Sequence, residues 1–427
     1  MSNVKEHKSK KREIVIDLSV DDDDDKLQQQ ISKLPRWESK SSGTVTIVSW
    51  NVNDLLARYL QDGGLKSASH FIVEQTAADI CILQEVWFTP KYIQGKPPHG
   101  IPSDKIRPAS WGERKEADIR TNPTSWPSVD KILTPLFGSK NQRKYHLFYS
   151  LQASARGSGT IVAVRKGFEQ PNYVTYNLQS AEEMLHNAAS ASATTMPKTN
   201  NGKGYSKKFC TDHHYEGRII LLGYKNVDIL ATYVPWLGKV TSRRIEWDEQ
   251  LEKFFSHRRC QGQRPIIWIG DLNVAPTAAD VSHPSEMTSF SGFTLAERER
   301  FQTIVRAGDL IDAWRYKHPT PWQNGSSSLI LDNTMGPHNN MLTASYSWRN
   351  APGSHPEAIA MRLDHAFLTR SLLPYIIRCD LASSGETLDG FYGSDHCPLV
   401  LTLVRFHFNT LILVASLFLF FYDVFHL

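Results

Sequence analysis

The sequence predicts an α/β fold in which two packed β-sheets are flanked by helices, and three features lead to it. Hairpin-like strand pairs are mixed with strand-helix-strand units along the chain, which suits two sheets sharing one core with helices outside. The 427 residues, 41% of them hydrophobic, suffice to bury such a core in one large domain with tails. Acid or amide side chains recur directly after apolar strand-like runs, and the carboxyl ends of buried strands are where open α/β sheets carry chemistry.

Residues 1–43 are expected to be a disordered, charged tail without an apolar signal-peptide core. They hold nine Lys/Arg and nine Asp/Glu, so the net charge of +4 belongs wholly to residues 44–427. That mild basicity permits a polyanionic partner. Lys8-Ser-Lys-Lys-Arg12 resembles a nuclear localisation signal and predicts a nuclear protein. Ile14-Val-Ile-Asp-Leu18, followed by the acids 21–25, resembles a SUMO-interacting strip that adds to a partner's sheet edge; a solvated linker is the alternative. Five scattered cysteines without a Cys-x-x-Cys pair indicate neither a disulfide framework nor a zinc ribbon, and fit a reducing compartment.

A catalytic domain is expected over 44–406. Residues 44–50 alternate as a strand delivering Asn51 and Asn53; a helical stretch follows near 64–77, and an apolar strand at 79–83 delivers Gln84 and Glu85. Residues 89–144, rich in Pro, Trp and charge, are read as an elaborated loop region with some local structure. Strands are predicted at 145–151 and 160–165, joined by the turn Arg156-Gly-Ser-Gly159, a weak candidate for phosphate contact. Residues 181–214 lose the apolar period and read as a surface insertion; Cys210, His213 and His214 fall inside it.

Strands resume at 218–224 and 228–234. In the helix that follows, Trp247, Leu251, Phe254 and Phe255 recur at helical spacing and form its core stripe. In Arg264-Pro-Ile-Ile-Trp-Ile-Gly-Asp-Leu-Asn-Val-Ala-Pro276 an apolar strand is broken at Gly270, which lets the backbone turn so that Asp271 and Asn273 project from one side of its end. An Asx turn merely closing the strand explains these two equally well. Thr294-Leu-Ala-Glu297 is a capping box, and Phe301, Ile304 and Val305 mark the buried face of its helix. Further strands are expected at 362–368 and 398–404. Residues 411–422 are almost wholly apolar, short of the about 20 that span a bilayer; a tail anchor, an interfacial segment and a strand packed on the core all stay open for the 407–427 tail.

Five strand ends thus carry polar groups: Asn51/Asn53, Glu85, Asp271/Asn273, Asp364 and the Asp395-His396 pair. Recurrence at this rate is hard to ascribe to turn chemistry. Oxygen-rich ligands without paired thiolates favour a hard ion such as Mg²⁺, with Glu85 as first ligand.

Ser49-Trp-Asn-Val-Asn53, Leu83-Gln-Glu-Val86, Thr232-Tyr-Val-Pro235, Gly270-Asp-Leu-Asn-Val-Ala-Pro276, Gly292-Phe-Thr-Leu-Ala-Glu-Arg298, Arg362-Leu-Asp364 and Gly393-Ser-Asp-His-Cys-Pro398 follow one another in order. In them the chain resembles the exonuclease III-like AP endonucleases of the endonuclease/exonuclease/phosphatase superfamily. The resemblance implies a four-layered sandwich of two mixed sheets flanked by helices (DNase I-like). It also implies hydrolysis of the DNA backbone on the 5′ side of an abasic site, with 3′-end trimming, in base excision repair, by a monomer using Mg²⁺ or Mn²⁺ on double-stranded DNA.

By position, the resemblance assigns Glu85, Asn51, Asp395 and Asp271 to the metal site, and Asp271 to the attacking water. Asn273 would bind the scissile phosphate, Tyr233 would support developing charge, and His396, held by Asp364, would contact a phosphoryl oxygen. Asn53, Arg156 and Trp236 would meet substrate, and Trp348, Met361 and Leu363 would line the sugar pocket, ordinary core being the alternative for these three. Trp236 departs from the family, which places Asn, Gln or His there. Two other functions remain: a different phosphodiesterase of the superfamily acting on DNA ends, RNA or phospholipid, and a catalytically silent DNA- or SUMO-binding scaffold.

Overall fold

The structure is a computed structural model describing residues 43–61, 64–90, 119–120, 127–151, 158–176, 178, 217–236, 238, 241–319, 345–350, 359–385 and 388–405. The basic cluster at 8–12, the apolar strip at 14–18, Arg156, the insertion at 181–214 with Cys210, His213 and His214, and the tail at 407–427 lie outside the described residues. No helix among the described residues is long and apolar enough to cross a membrane.

In chain order the strands are β1 (Thr44–Asn51), β2 (Ile80–Gln84), β3 (Thr89–Pro90), β4 (Ile119–Arg120), β5 (Tyr145–Ser150), β6 (Thr160–Arg165), β7 (Tyr173–Thr175), β8 (Ile219–Gly223), β9 (Asp228–Tyr233), β10 (Ile266–Asp271), β11 (Leu310–Asp312), β12 (Trp348–Arg349), β13 (Ala360–Met361), β14 (Asp364–Thr369), β15 (Ile376–Leu381) and β16 (Leu399–Val404). One six-stranded sheet runs β15-β16-β1-β2-β6-β5 and the other β11-β14-β10-β9-β8-β7. Each contains a single parallel pair at its centre, β1 with β2 and β10 with β9, and antiparallel neighbours elsewhere. The two sheets therefore repeat one pattern, with β1 in the place of β10 and β16 in that of β14.

Strand alternation sorts the side chains into layers. Val45 and Ile47 of β1, Ile80 and Ile82 of β2, Ile229 and Ala231 of β9, and Ile267 and Ile269 of β10 fill the space between the sheets. The opposite faces turn outward: Val48, Trp50 and Leu83 pack under the helices Leu55–Leu60, Gly64–Ser69 and Val129–Phe137. On the other sheet, Leu230, Ile266 and Trp268 pack under Thr241–Cys260 and Leu295–Gly308 through Trp247, Leu251, Phe254, Phe255, Phe301 and Ile304. Helix, sheet, sheet, helix is the four-layered sandwich expected.

One local expectation changes, and another is made specific. The strand does not end at Gly270 but runs through it, pairing it with Thr232 and His365. Glycine is required there for close approach, because at φ +151 a Cβ would run into the Thr232 carbonyl oxygen. Within the region read as an elaborated loop with some local structure, that structure includes a helix, Val129–Phe137, capped by Ser128 and burying Val129, Ile132, Leu133, Leu136 and Phe137. Pro135 interrupts its pattern.

Candidate active site

The same alternation that builds the core builds the site. Asn51 continues the inward face of Val45 and Ile47, Asp271 that of Ile267 and Ile269, and Tyr233 that of Ile229 and Ala231. Asp364, at the start of the antiparallel β14, pairs in register with Asp271. The apolar layer between the sheets thus ends in a layer of polar groups, at the carboxyl ends of both central parallel pairs.

Asn51, wholly buried, donates from Nδ2 to Glu85 Oε1 and to Asp271 Oδ2, both at 2.9 Å, while its Oδ1 accepts the Asn53 N–H at 3.0 Å. Asn51 therefore bridges two carboxylates, and its own oxygen is shared with the Asn53 backbone. Asp271 Oδ1 accepts the Asn273 N–H at 2.9 Å, and Asn273 Nδ2 donates to the Val234 carbonyl at 2.8 Å. The Asx turn does form, and it is part of the site.

His396 is 4% exposed; its Nδ1 lies 2.7 Å from Asp364 Oδ2 and its Nε2 3.9 Å from Asp271 Oδ2. Burial alone would favour the neutral ring, but Asp364 and then Asp271 overcome it and raise its pKa to about 10. Burial also pushes the Asp271 carboxyl up to about 7, with His396 opposing and Asp364 adding to the rise. The Tyr233 phenol is pushed well above its ordinary range by burial and by the Glu85 carboxylate, which it hydrogen-bonds.

Asp395 Oδ1 accepts from Asn53 Nδ2 at 2.9 Å, and Oδ2 accepts from Trp348 Nε1 at 3.1 Å. Met361 and Leu363, 2% and 6% exposed, pack with Phe293 and Val281, and Trp348 lies against that cluster. Trp236, two residues past the Val234 carbonyl that holds Asn273, is 61% exposed. The structure thus gathers Asn51, Glu85, Asp271, Asn273, Tyr233, Asp364 and His396 at one point, with Asn53, Asp395 and Trp348 beside it.

A hard divalent cation fits this donor set. Glu85, Asp271, Asp364 and Asp395 supply carboxylate oxygens, and the buried Asp364 Oδ1 has no hydrogen-bond partner. Asp271, Asp364 and His396 also bring ligand-capable atoms within 4.8 Å of one another. The His396 Nδ1 is already engaged by Asp364, however, so this trio suits a held imidazole better than a ligand set.

Three contributors are not flagged by strand-end patterning. The buried Arg244 donates to the carbonyls of Pro235 at 2.9 Å, Leu272 at 3.3 Å and Asn273 at 3.0 Å, tying together the turns after β9 and β10. A cation one turn before Trp247 on an otherwise apolar stripe was the available signal. Trp87 Nε1 donates to Glu85 Oε2 at 3.1 Å. The Arg218 guanidinium lies 4.4 Å from the Tyr233 ring centroid.

Comparison with known proteins agrees with this fold. A family model described as the Endonuclease/Exonuclease/phosphatase family matches residues 48–396. A DNA-(apurinic or apyrimidinic site) endonuclease of Plasmodium falciparum (isolate 3D7) is 30% identical over 379 residues, 84% of this chain but 54% of the relative. The chain therefore spans about half of that protein's length. The enzyme of the same description from Arabidopsis thaliana is 28% identical over 379 residues, 84% of each chain. Two solved structures share the fold: the catalytic domain of Xenopus laevis APE2, with a TM-score of 0.52 and 16% identity over 86% of this chain and 94% of that one, and the AP endonuclease LMAP from Leishmania major, with a TM-score of 0.51 and 17% identity over 88% and 95%.

Proposed function

Because the chain belongs to the Endonuclease/Exonuclease/phosphatase family, we propose that it is a DNA-(apurinic or apyrimidinic site) endonuclease, hydrolysing the phosphodiester on the 5′ side of an abasic site in duplex DNA. The observation that carries this reading is the buried constellation of Asp271, the Asp364-held His396 and the Asn51-bridged Glu85 at the meeting of the two sheets. A silent binding protein has no need of a buried acid and a buried imidazolium facing each other.

Phosphodiester hydrolysis needs a directed water, neutralised phosphoryl oxygens and a supported leaving oxygen. Asp271 is the water-directing group: both its oxygens are oriented by donors, and burial places its proton affinity near neutrality. His396 is held as a cation by Asp364 and offers Nε2–H to a phosphoryl oxygen. Asn273 Nδ2, fixed by the Val234 carbonyl and 3.5 Å from Asp271 Oδ2, would offer its second N–H to the same group. Tyr233 keeps its proton and supports the leaving oxygen as a hydrogen-bond donor. Glu85, with Asp395, would hold Mg²⁺ or Mn²⁺, which supplies charge neutralisation at the phosphate when bound; Asn51 turns its Nδ2 to Glu85 and gives its oxygen to the Asn53 N–H, so it orients the ligand.

Cleavage of a labelled duplex carrying one tetrahydrofuran abasic analogue tests the proposal. A single incision 5′ to the analogue, abolished by EDTA and by Asp271→Ala, is the expected result. An intact duplex alongside cleavage of simple phosphodiesters would remove the abasic-site assignment while leaving the family unaffected.

A further inference from the structure

If Glu85 is the principal cation ligand, whatever fixes its carboxylate sets the affinity of the site. Glu85 and Trp87 both sit at left-handed φ, +53 and +56, on either side of the buried Val86. For a bulky tryptophan that conformation is uncommon and needs support from its surroundings. The support comes from both sides. Val52 and Asp54 N–H groups donate to the Gln84 and Glu85 carbonyls at 3.0 and 2.9 Å, and Val86 and Trp87 N–H groups donate to the Gly159 and Ser158 carbonyls at 3.1 and 3.0 Å. Gly159, at φ +101, takes part in this brace because a Cβ on it would reach 3.0 Å from Val86 Cγ2.

What the braced turn achieves is to fold Trp87 back over its own neighbour but one. The indole Nε1–H donates to Glu85 Oε2 at 3.1 Å, opposite the Asn51 donation to Oε1 at 2.9 Å. The Tyr233 phenol is a third neutral donor to this carboxylate, and three donors still leave it lone-pair capacity, since a carboxylate offers about four acceptor sites. An indole is a donor only, cannot ionise here and has two side-chain torsions, so it orients a carboxylate without placing a cation beside it.

We propose that Trp87 is the positioning residue of the cation site: its indole N–H fixes the Glu85 carboxylate in the orientation that binds a divalent ion. The proposal rests on the reading of Glu85 as the cation's ligand. Partners that orient metal ligands typically change affinity by about 10- to 100-fold when lost.

Titration calorimetry with Mn²⁺ on the full chain, without DNA, tests it. Trp87→Phe keeps an aromatic ring and removes the N–H, and is expected to bind Mn²⁺ about tenfold or more weakly. Trp87→Gln sacrifices the ring but restores an N–H donor, and is expected to bind more tightly than Trp87→Phe. A role in packing alone would give the reverse order, and this comparison holds even where both variants melt earlier than wild type in EDTA. Wild-type affinity in Trp87→Phe, or Phe binding better than Gln, overturns the proposal. Glu85→Gln separates the two levels. If it weakens Mn²⁺ binding while Trp87→Phe does not, only the Trp87 role falls; if it leaves binding unchanged, the Glu85 reading falls and the proposal with it.

Discussion

Asn51 and Asp271 belong to different sheets, 220 residues apart, yet Asn51 Nδ2 lies 2.9 Å from Asp271 Oδ2. With its second N–H on Glu85 Oε1 at 2.9 Å, a single carboxamide keeps two carboxylates apart and aimed. Asn51→Asp replaces that bridge with a third negative group. Turnover on the abasic-analogue duplex should fall by about 10²- to 10³-fold, as for loss of one preorganised donor, and steady-state kinetics would measure it.

Asp271→Asn keeps the shape of the side chain and removes the carboxylate proposed to direct the water. Single-turnover cleavage should slow by about three to five orders of magnitude. Anisotropy titration in EDTA should show duplex binding within a few-fold of wild type. Binding lost in proportion to activity would exclude the assigned role.

The acid limb of the pH-rate profile should report Asp271. Its pKa is raised to about 7, chiefly by burial, so the group is neutral below that pH and charged above it. Cleavage should rise with pH through neutrality and then level off. The His396 pKa, raised to about 10 against its burial by Asp364 and Asp271, keeps the imidazolium across this range. Asp364→Asn removes the charge that raises both groups. The acid limb should move down, and a falling limb should enter from the alkaline side at a lower pH than in wild type.

Beneath the site, Arg362 donates to Asp280 Oδ1 at 2.8 Å and to Asp312 Oδ2 at 2.7 Å, and also bonds His365, whose Nε2 lies 2.8 Å from the Val274 carbonyl. Burial alone would raise the Asp280 pKa, but Arg315 and Arg362 outweigh it and hold the carboxyl well below its usual range. A depressed folded-state pKa stabilises above the unfolded value, about pH 4, and that stabilisation is lost as pH falls through the folded value. Asp280→Asn should cost about 3–5 kcal/mol in urea melts at neutral pH, by stranding its arginine partners. The difference from wild type should shrink in acid.

Trp236 is 61% exposed, two residues from the Val234 carbonyl that holds Asn273. Beside the proposed phosphate site, an exposed indole can stack on an unpaired base, such as the one opposite an abasic site, an interaction of about 1–3 kcal/mol. Trp236→Ala should therefore weaken duplex binding by about tenfold while leaving the melting temperature in place, which anisotropy and calorimetry can check.

Much of this site was legible because strand alternation is strict. Once Ile267 and Ile269 are read as facing the core, Asp271 has to face the same way, and the same holds for Asn51 after Val45 and Ile47. What patterning could not supply were contacts made by side chains that come from elsewhere. Arg244 reaches three carbonyls from a helix whose stripe reads as plain core. Trp87 reaches Glu85 only because the turn between them is left-handed. Gly270 reads as a break, since the carbonyl it makes room for belongs to β9. The helix Val129–Phe137 is obscured by Pro135, which sits inside it.

The closing of the first sheet bears on the life of the protein before it is finished. β1, which carries Asn51, has β2 on one side and β16 on the other, so its second neighbour comes from the far end of the described chain. His396 arrives just ahead of that last strand. A chain still leaving the ribosome with only its first two hundred residues made holds Asn51 and Glu85 but neither Asp271 nor His396. On the proposed function, a copy that stops before Asp271 and His396 holds only part of the catalytic set and is an inert fragment.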